Sequence, residues 1–150
     1  MNSLRYTYST EVVRVPVKFK DNSAKVKAAL NEKTISWLYE AGGELEAQTK
    51  RNTKVSTGQL KNSWTYKVDE SKGEAKIGSN LENAIWEEFG TGEYALHGDG
   101  RKTPWTYQDD DGKWHKTTGK KPRRALNNAF VTLKGSLQTR FEQIMKEIGS

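Results

Sequence analysis

The stretch that decides the fold is N-A-I-W-E-E-F-G-T-G, residues 83–92, together with its continuation E-Y-A-L-H-G-D-G-R-K-T-P-W-T-Y-Q-D-D-D-G-K-W-H-K-T-T-G-K-K-P-R-R, residues 93–124. An apolar, aromatic segment stops at Gly90-Thr91-Gly92, and a long polar passage then runs to Pro122. Ala84 to Phe89 is short enough to be a helical turn or a strand. Gly98, Gly100 and Gly112 keep the passage from forming one regular element. Loops longer than about 12–15 residues in a compact domain are usually binding loops or linkers. Residues 91–121 are therefore expected to form an extended, partner-contacting loop. Inside it, Pro104–Tyr107 and Lys113–Thr117 flank Asp109-Asp110-Asp111-Gly112, whose Asp-Gly pair signals a hairpin turn. Trp105, Tyr107 and Trp114 are expected to form its aromatic face.

Downstream, Pro122 suits the first position of a helix, where a missing N–H is no loss. Leu126, Phe130, Leu133, Leu137, Phe141, Ile144 and Ile148 recur at steps of 3 and 4, the strongest amphipathic pattern in the chain. This stripe is expected to dock on one face of a sheet. Upstream, Trp64, Tyr66 and Val68 alternate with polar residues, as do Ala75, Ile77 and Ser79, around a Glu70-Ser71-Lys72-Gly73 turn. That is a β-hairpin. Further back, Val26, Leu30, Trp37, Ala41 and Leu45 mark one face of a helix running from about Ser23 to Arg51, after capping chemistry at Asp21-Asn22-Ser23. Gly42-Gly43 inside it implies a kink or the close approach of a neighbouring backbone. Thr53 to Gly58 is polar and ends the helix. Val13, Val15, Val17 and Phe19 alternate as a strand, which Pro16 confines to a sheet edge or a bulge. Leu4, Tyr6 and Tyr8 also alternate, and residues 1–10 read as an arm.

The expected fold is one α+β domain over residues 1–150. A long N-terminal helix and a C-terminal helix pack on a small, mainly antiparallel sheet, with the loop and its hairpin outside. The apolar fraction is 33% and the mean hydropathy −0.91, so the core must be small and rich in aromatics. The absence of cysteine removes disulfides, thiolate metal sites and a cysteine nucleophile. No secretory h-region and no membrane-length apolar run is visible.

Charge is distributed unevenly. Residues 1–100 carry 14 basic and 14 acidic side chains, and residues 101–150 carry 11 and 5, which is the whole +6 excess. Lys116, Lys120, Lys121, Arg123 and Arg124 crowd one short stretch beside Trp105, Tyr107 and Trp114. Basic and aromatic side chains together can hold a nucleic-acid strand or an acidic protein face. No helix-turn-helix, RNP or zinc-finger pattern accompanies them, so DNA contact would be to the backbone. The bland alternative is a solvated loop that aids solubility.

Catalysis finds little in the sequence. His97 and His115 both fall in the loop, and no G-x-S-x-G elbow is present. Glu87-Glu88 could serve a glycosidase, but adjacent residues on a strand point to opposite faces, so Asp99 or Asp109 would have to partner one of them. The contiguous Asp109-Asp110-Asp111 lacks the alternation of a calcium loop, and His97 with Asp99 gives only two ligands. No catalytic, cofactor-binding or metal-binding residue is assigned.

Three segments, in order, resemble the tail-component (neck, head–tail joining or tail-completion) proteins of long-tailed bacteriophages. Val55-Ser56-Thr57-Gly58-Gln59-Leu60-Lys61-Asn62-Ser63 is similar to that family's T-G-x-L-x-x-S leading into a strand, matching at Thr57, Gly58, Leu60 and Ser63. Ala84 to Gly92 is similar to its Y-A-x-x-x-E-F-G-T-G, matching at Glu88, Phe89, Gly90, Thr91 and Gly92, with Asn83 in place of Tyr. Lys121-Pro122-Arg123-Arg124-Ala125-Leu126 is similar to R-P-F-L-x-x-A-L at Pro122, with arginines replacing the usual apolar pair. The resemblance spans about residues 23–145. It implies a non-enzymatic virion or prophage protein with no cofactor, made in the host cytoplasm and placed at the head–tail junction. It further implies a homo-oligomeric ring touching head-completion or connector and tail-terminator proteins, with non-specific DNA contact in the channel and none with membrane. The rival readings are a nucleic-acid-binding module using residues 116–124 and a phage cell-wall hydrolase.

Overall fold

The computed structural model describes residues 13–16 and 24–149. The arm at 1–10, the strand residues Val17 and Phe19 and the capping residues Asp21-Asn22-Ser23 lie outside the described residues, as do the side chains of Val26 and Leu30.

Strand β1 is Val13–Pro16, and helix α1 runs from Ala24 to Asn52. A short helix α2, Gln59–Ser63, leads into β2, Thr65–Asp69, and β3, Glu74–Gly78. Helix α3 is Glu82–Phe89. The long loop carries β4, Trp105–Gln108, and β5, Trp114–Thr117. Helix α4, Ala125–Ile148, completes the described chain. The architecture is α+β. One three-stranded antiparallel sheet has the order β1-β3-β2, and β4-β5 form a separate two-stranded ribbon. β1 pairs with β3 alone, with Pro16 opposite Glu74. That is the edge placement a strand proline requires.

α1 is the centre of the core. It packs along α4 on one side and against β2 and β3 on another. This double contact explains why Leu38, Thr34 and Thr49 are buried together with the predicted stripe of Trp37, Ala41 and Leu45. Trp64, Ala75, Ile77, Ala84, Leu126, Phe130 and Leu137 complete the cluster. The Trp37 indole donates to the carbonyl of Leu137 (3.1 Å) and its ring meets Phe141 at 4.9 Å. Arg140 clamps α4 to α1 through both oxygens of Glu44 at 2.6 Å, which holds the Glu44 carboxyl below its ordinary range. The apolar stripe of α4 thus lies chiefly along α1, and α1 carries the contact with the sheet.

The helix does not break at Gly42-Gly43. The group that approaches is the ring of Tyr66, not a backbone: a β-carbon on Gly42 would lie 2.8 Å from Tyr66 Cε2. Glu46, one turn further on, accepts the backbone N–H of Tyr66 (3.1 Å) and pairs with Lys50 (2.6 Å). A glycine and a carboxylate on one helix face together seat strand β2.

Thr57-Gly58 makes a tight turn, with Gly58 at φ +81°. It opens α2 rather than the strand itself, and five residues are too few to show a helical period in sequence. At the end of α2 the Ser63 hydroxyl gives its proton to the carbonyl of Leu60 (2.7 Å) and meets the Ser79 hydroxyl at 2.6 Å. Ser79 in turn accepts the N–H of Leu81 (3.1 Å). Ser63 therefore ties the entry to β2 to the exit from β3, directly before α3.

Candidate functional site

The ambiguous segment at residues 84–89 is a helix, and its two glutamates do different work. Glu88 is buried, 6% exposed, and accepts the backbone N–H groups of Leu126 (3.0 Å) and Asn127 (2.7 Å). Those are two of the orphan donors at the start of α4. The residue before that helix is Arg124, which makes no side-chain cap. A carboxylate far upstream in the sequence supplies the cap instead. Burial pushes the Glu88 carboxyl up, while the two N–H groups and the nearby Arg124 charge pull it part of the way back.

Glu87 faces the other way. Its carboxylate holds Lys120 and lies 3.5 Å from the Arg123 guanidinium, and its carbonyl accepts the N–H groups of Arg123 (2.7 Å) and Arg124 (3.2 Å). Neighbours on a helix are separated by about 100° rather than the roughly 180° of a strand. That is how one pair reaches two targets on the same returning segment.

The glycines complete this seam. Thr91 N–H bonds to the Lys120 carbonyl (2.9 Å), Lys120 N–H to the Thr91 hydroxyl (3.0 Å), and Glu93 N–H to the Thr118 carbonyl (3.0 Å). Residues 87–93 and 118–124 thus run side by side as a zipped loop base. Gly92 is buried at φ +61°, and a β-carbon there would collide with the Thr118 carbonyl and lie 2.7 Å from Gly119 Cα. Gly90, at φ +73°, would meet the Lys120 carbonyl and Pro122 Cδ at 2.8 Å. Phe89 takes the Leu96 N–H on its carbonyl (2.9 Å) and sets its ring 5.5 Å from His97. The E-F-G-T-G run is therefore a lock that fixes where the loop leaves and returns.

Pro122 belongs to this lock and not to α4, which begins at Ala125. The expectation that it holds the first helical position is corrected. Arg123 and Arg124 must first bond to the Glu87 carbonyl, and Arg124 turns the chain in a left-handed conformation, φ 56° and ψ 42°. For a residue other than glycine such a conformation costs about 1–3 kcal/mol and is kept only where surrounding contacts hold it.

Beyond the base, the hairpin forms as expected. Asp109 makes its turn, accepting the N–H groups of Asp111 (3.1 Å) and Lys113 (2.8 Å) on one oxygen and bonding His115 (2.6 Å) with the other, which lowers its carboxyl. The single aromatic face is corrected. The register sets Tyr107 opposite His115 and Gln108 opposite Trp114. Trp105, Tyr107 and His115 share one face, and Trp114 lies on the other with Thr106, Gln108 and Lys116. The turn length decides this, since a shift of one residue moves a side chain across the ribbon. Trp114 is 67% exposed, the highest value among the exposed large apolar side chains.

The predicted contact residues are thus only partly brought together. Lys120 and Arg123 sit on Glu87, Lys121 lies over the Tyr94 ring (5.5 Å), and Arg124 is half-buried beside Glu88. Lys116 stays exposed on the ribbon. Sequence reasoning missed the capping role of Glu88. The missing Ser, Thr, Asp or Asn before α4 was the signal that could have found it.

Residues 18–90 match the HK97-gp10-like family, described as "Bacteriophage HK97-gp10, putative tail-component". Just under half of the chain is thus similar to a phage tail-component family. It contains the T-G-x-L-x-x-S segment and Glu88-Phe89-Gly90, and it stops before Thr91, Gly92 and Pro122. No curated protein and no solved structure matches the chain. Among the described residues no helix is long and apolar enough to cross a membrane.

Proposed function

We propose that the protein is a non-enzymatic structural part of the phage head–tail connection, a neck or tail-completion component that works as a ring. The observation that carries this reading is the lock at residues 87–93 and 118–127. A buried carboxylate, two glycines that tolerate no side chain and a left-handed arginine all serve to aim a loop. A loop held so firmly at its base is suited to meeting a partner. The family match over residues 18–90 supports a tail role, and the charge excess in residues 101–150 supports an acidic partner.

In this reading the exposed cations of the 116–124 cluster, with Trp105, Tyr107 and Trp114, face neighbouring connector or tail-terminator proteins or the DNA channel. Pairing of Lys120 and Arg123 with Glu87 weakens the claim of a dedicated nucleic-acid module. The part of the loop beyond this base, residues 94–117, orders fully only on assembly. The test is deletion of the gene from the phage. Filled heads and separate tails that fail to join are expected. Normally joined virions, or a defect confined to host lysis, would contradict the reading and bring the hydrolase forward.

A further inference from the structure

The β4-β5 ribbon makes no substantial contact with another element of the described chain. An isolated two-stranded hairpin is marginal in water and needs a covering surface. Its two ends differ in charge. At the tip, the side chains of Asp110 and Asp111 are exposed, while Asp109 is consumed by the turn. Trp114 stands next to them. At the base lies a second exposed apolar spot, Tyr94 (37%) and Leu96 (46%), with the Lys121 ammonium over the Tyr94 ring. Lys116 is exposed at the base end of the ribbon, across from Thr106. The tip is therefore an aromatic residue beside two exposed carboxylates and the single ammonium of Lys113, and the base an apolar spot with Lys121 over the Tyr94 ring, Glu93 bonded to the Tyr94 hydroxyl and Lys116 on the adjoining end of the ribbon.

Strands that rise about 3.3 Å per residue hold the tip away from the base, so a paired ribbon cannot fold its own tip back onto Tyr94 and Leu96. Resting on the ring reading, we infer that the tip of one subunit docks on the loop base of the next copy of the chain. Trp114 meets Tyr94 and Leu96, and Asp110 and Asp111 meet Lys121 and Lys116. Two different patches joined head to tail generate a ring when the rotation closes, and tryptophan is among the residue types that most often anchor such a contact. Opposite charges set the direction of docking and suppress tip-to-tip pairing. The two tip carboxylates also repel phosphate, which favours a protein occupant over DNA at this end.

The experiment uses the full chain in native mass spectrometry and size-exclusion chromatography, with circular dichroism as a check on folding. The wild type is expected to give closed assemblies. A tip reversal, Asp110→Lys with Asp111→Lys, and a base reversal, Lys116→Glu with Lys121→Glu, should each lower the assembled fraction at least about tenfold. Trp114→Ala should do the same. An equimolar mixture of the two reversals should assemble again, because every reversed surface then meets an opposite one. Folded reversals that assemble like the wild type, or a mixture that stays dissociated, would overturn the arm contact while leaving the ring reading in place. A wild type that remains monomeric at every concentration would defeat the ring reading and the arm contact with it. Binding of duplex DNA by that monomer, lost in the base reversal, would assign the base patch to nucleic acid.

Discussion

The loop base and the ribbon beyond it come from one polar stretch, yet they are built on opposite principles. At the base, Gly92 is buried, backbone groups pair across the seam, and Glu88 caps a helix from 6% exposure. In the ribbon, Trp114 is 67% exposed and Tyr107 48%, and no other element of the described chain makes substantial contact with it. Polar composition therefore does not decide whether a loop is held. What decides it is where its glycines and carboxylates meet backbone. The contrast predicts large costs for changes at the body and base, and small ones in the ribbon until a partner is present.

The body sets the upper end of the scale. Leu137→Ala removes a buried side chain of α4 from the core cluster it shares with α1 and should cost about 2–5 kcal/mol in denaturant unfolding. A loss under about half a kilocalorie, as at a surface site, would contradict the α1–α4 packing.

Paired glycine substitutions sharpen the comparison. Gly92→Ala meets both an unfavourable φ and the Thr118 carbonyl, whereas Gly98→Ala, at φ +71°, has nothing within 4 Å of the added carbon. The second should cost about 1–2 kcal/mol from backbone conformation alone, and the first clearly more. Equal costs would mean that the base is no tighter than the rest of the loop.

Glu88→Gln keeps the shape but turns one N–H acceptor into a donor, and should cost about 1–3 kcal/mol near neutral pH. The pH dependence has a definite sign. Burial raises the native carboxyl above its unfolded value, so the native state holds the proton longer. The proton-linked part of the stability Glu88 contributes is then full below the ordinary carboxylate range and declines as pH rises through the raised native value, leaving the two hydrogen bonds to α4 as its contribution near neutral pH. Glu88→Gln should flatten that segment of the stability–pH profile. An unchanged profile would show that the cap titrates as it does in the unfolded chain.

At the small end, Trp114→Ala should change monomer stability by less than about 0.5 kcal/mol. A larger loss would mean that the ribbon has a partner within its own chain.

Most of the architecture is legible in the sequence because periodicity reports it directly. The steps of 3 and 4 from Leu126 to Ile148 and the alternation at Trp64–Val68 each name an element and a buried face. The edge position of β1 follows from one proline. The misreadings share a physical cause, since each depends on a partner distant in sequence. Pro122 looks like a helix start because the bonds from Arg123 and Arg124 to Glu87 are invisible locally. Gly42-Gly43 reads as a kink or a close backbone approach, and not as the seat of a ring, because Tyr66, which fills the space, lies in another element. Trp114 reads as a neighbour of Trp105 because strand register depends on the turn. For the site, the E-F-G-T-G run is recognisable as a motif. Its meaning, a cap and a seam, requires the returning segment.

The central claim is that a rigid base aims a ribbon which only assembly covers. Hydrogen exchange read by mass spectrometry, on the dissociated subunit and on the assembled protein, tests it most directly. The seam amides of Thr91, Glu93, Arg123, Leu126 and Asn127 should be protected in both states, and the amides of residues 105–117 should exchange fast in the subunit and slow markedly in the assembly. A ribbon as protected in the lone subunit as in the assembly, or a base that exchanges as fast as the ribbon, would contradict the account.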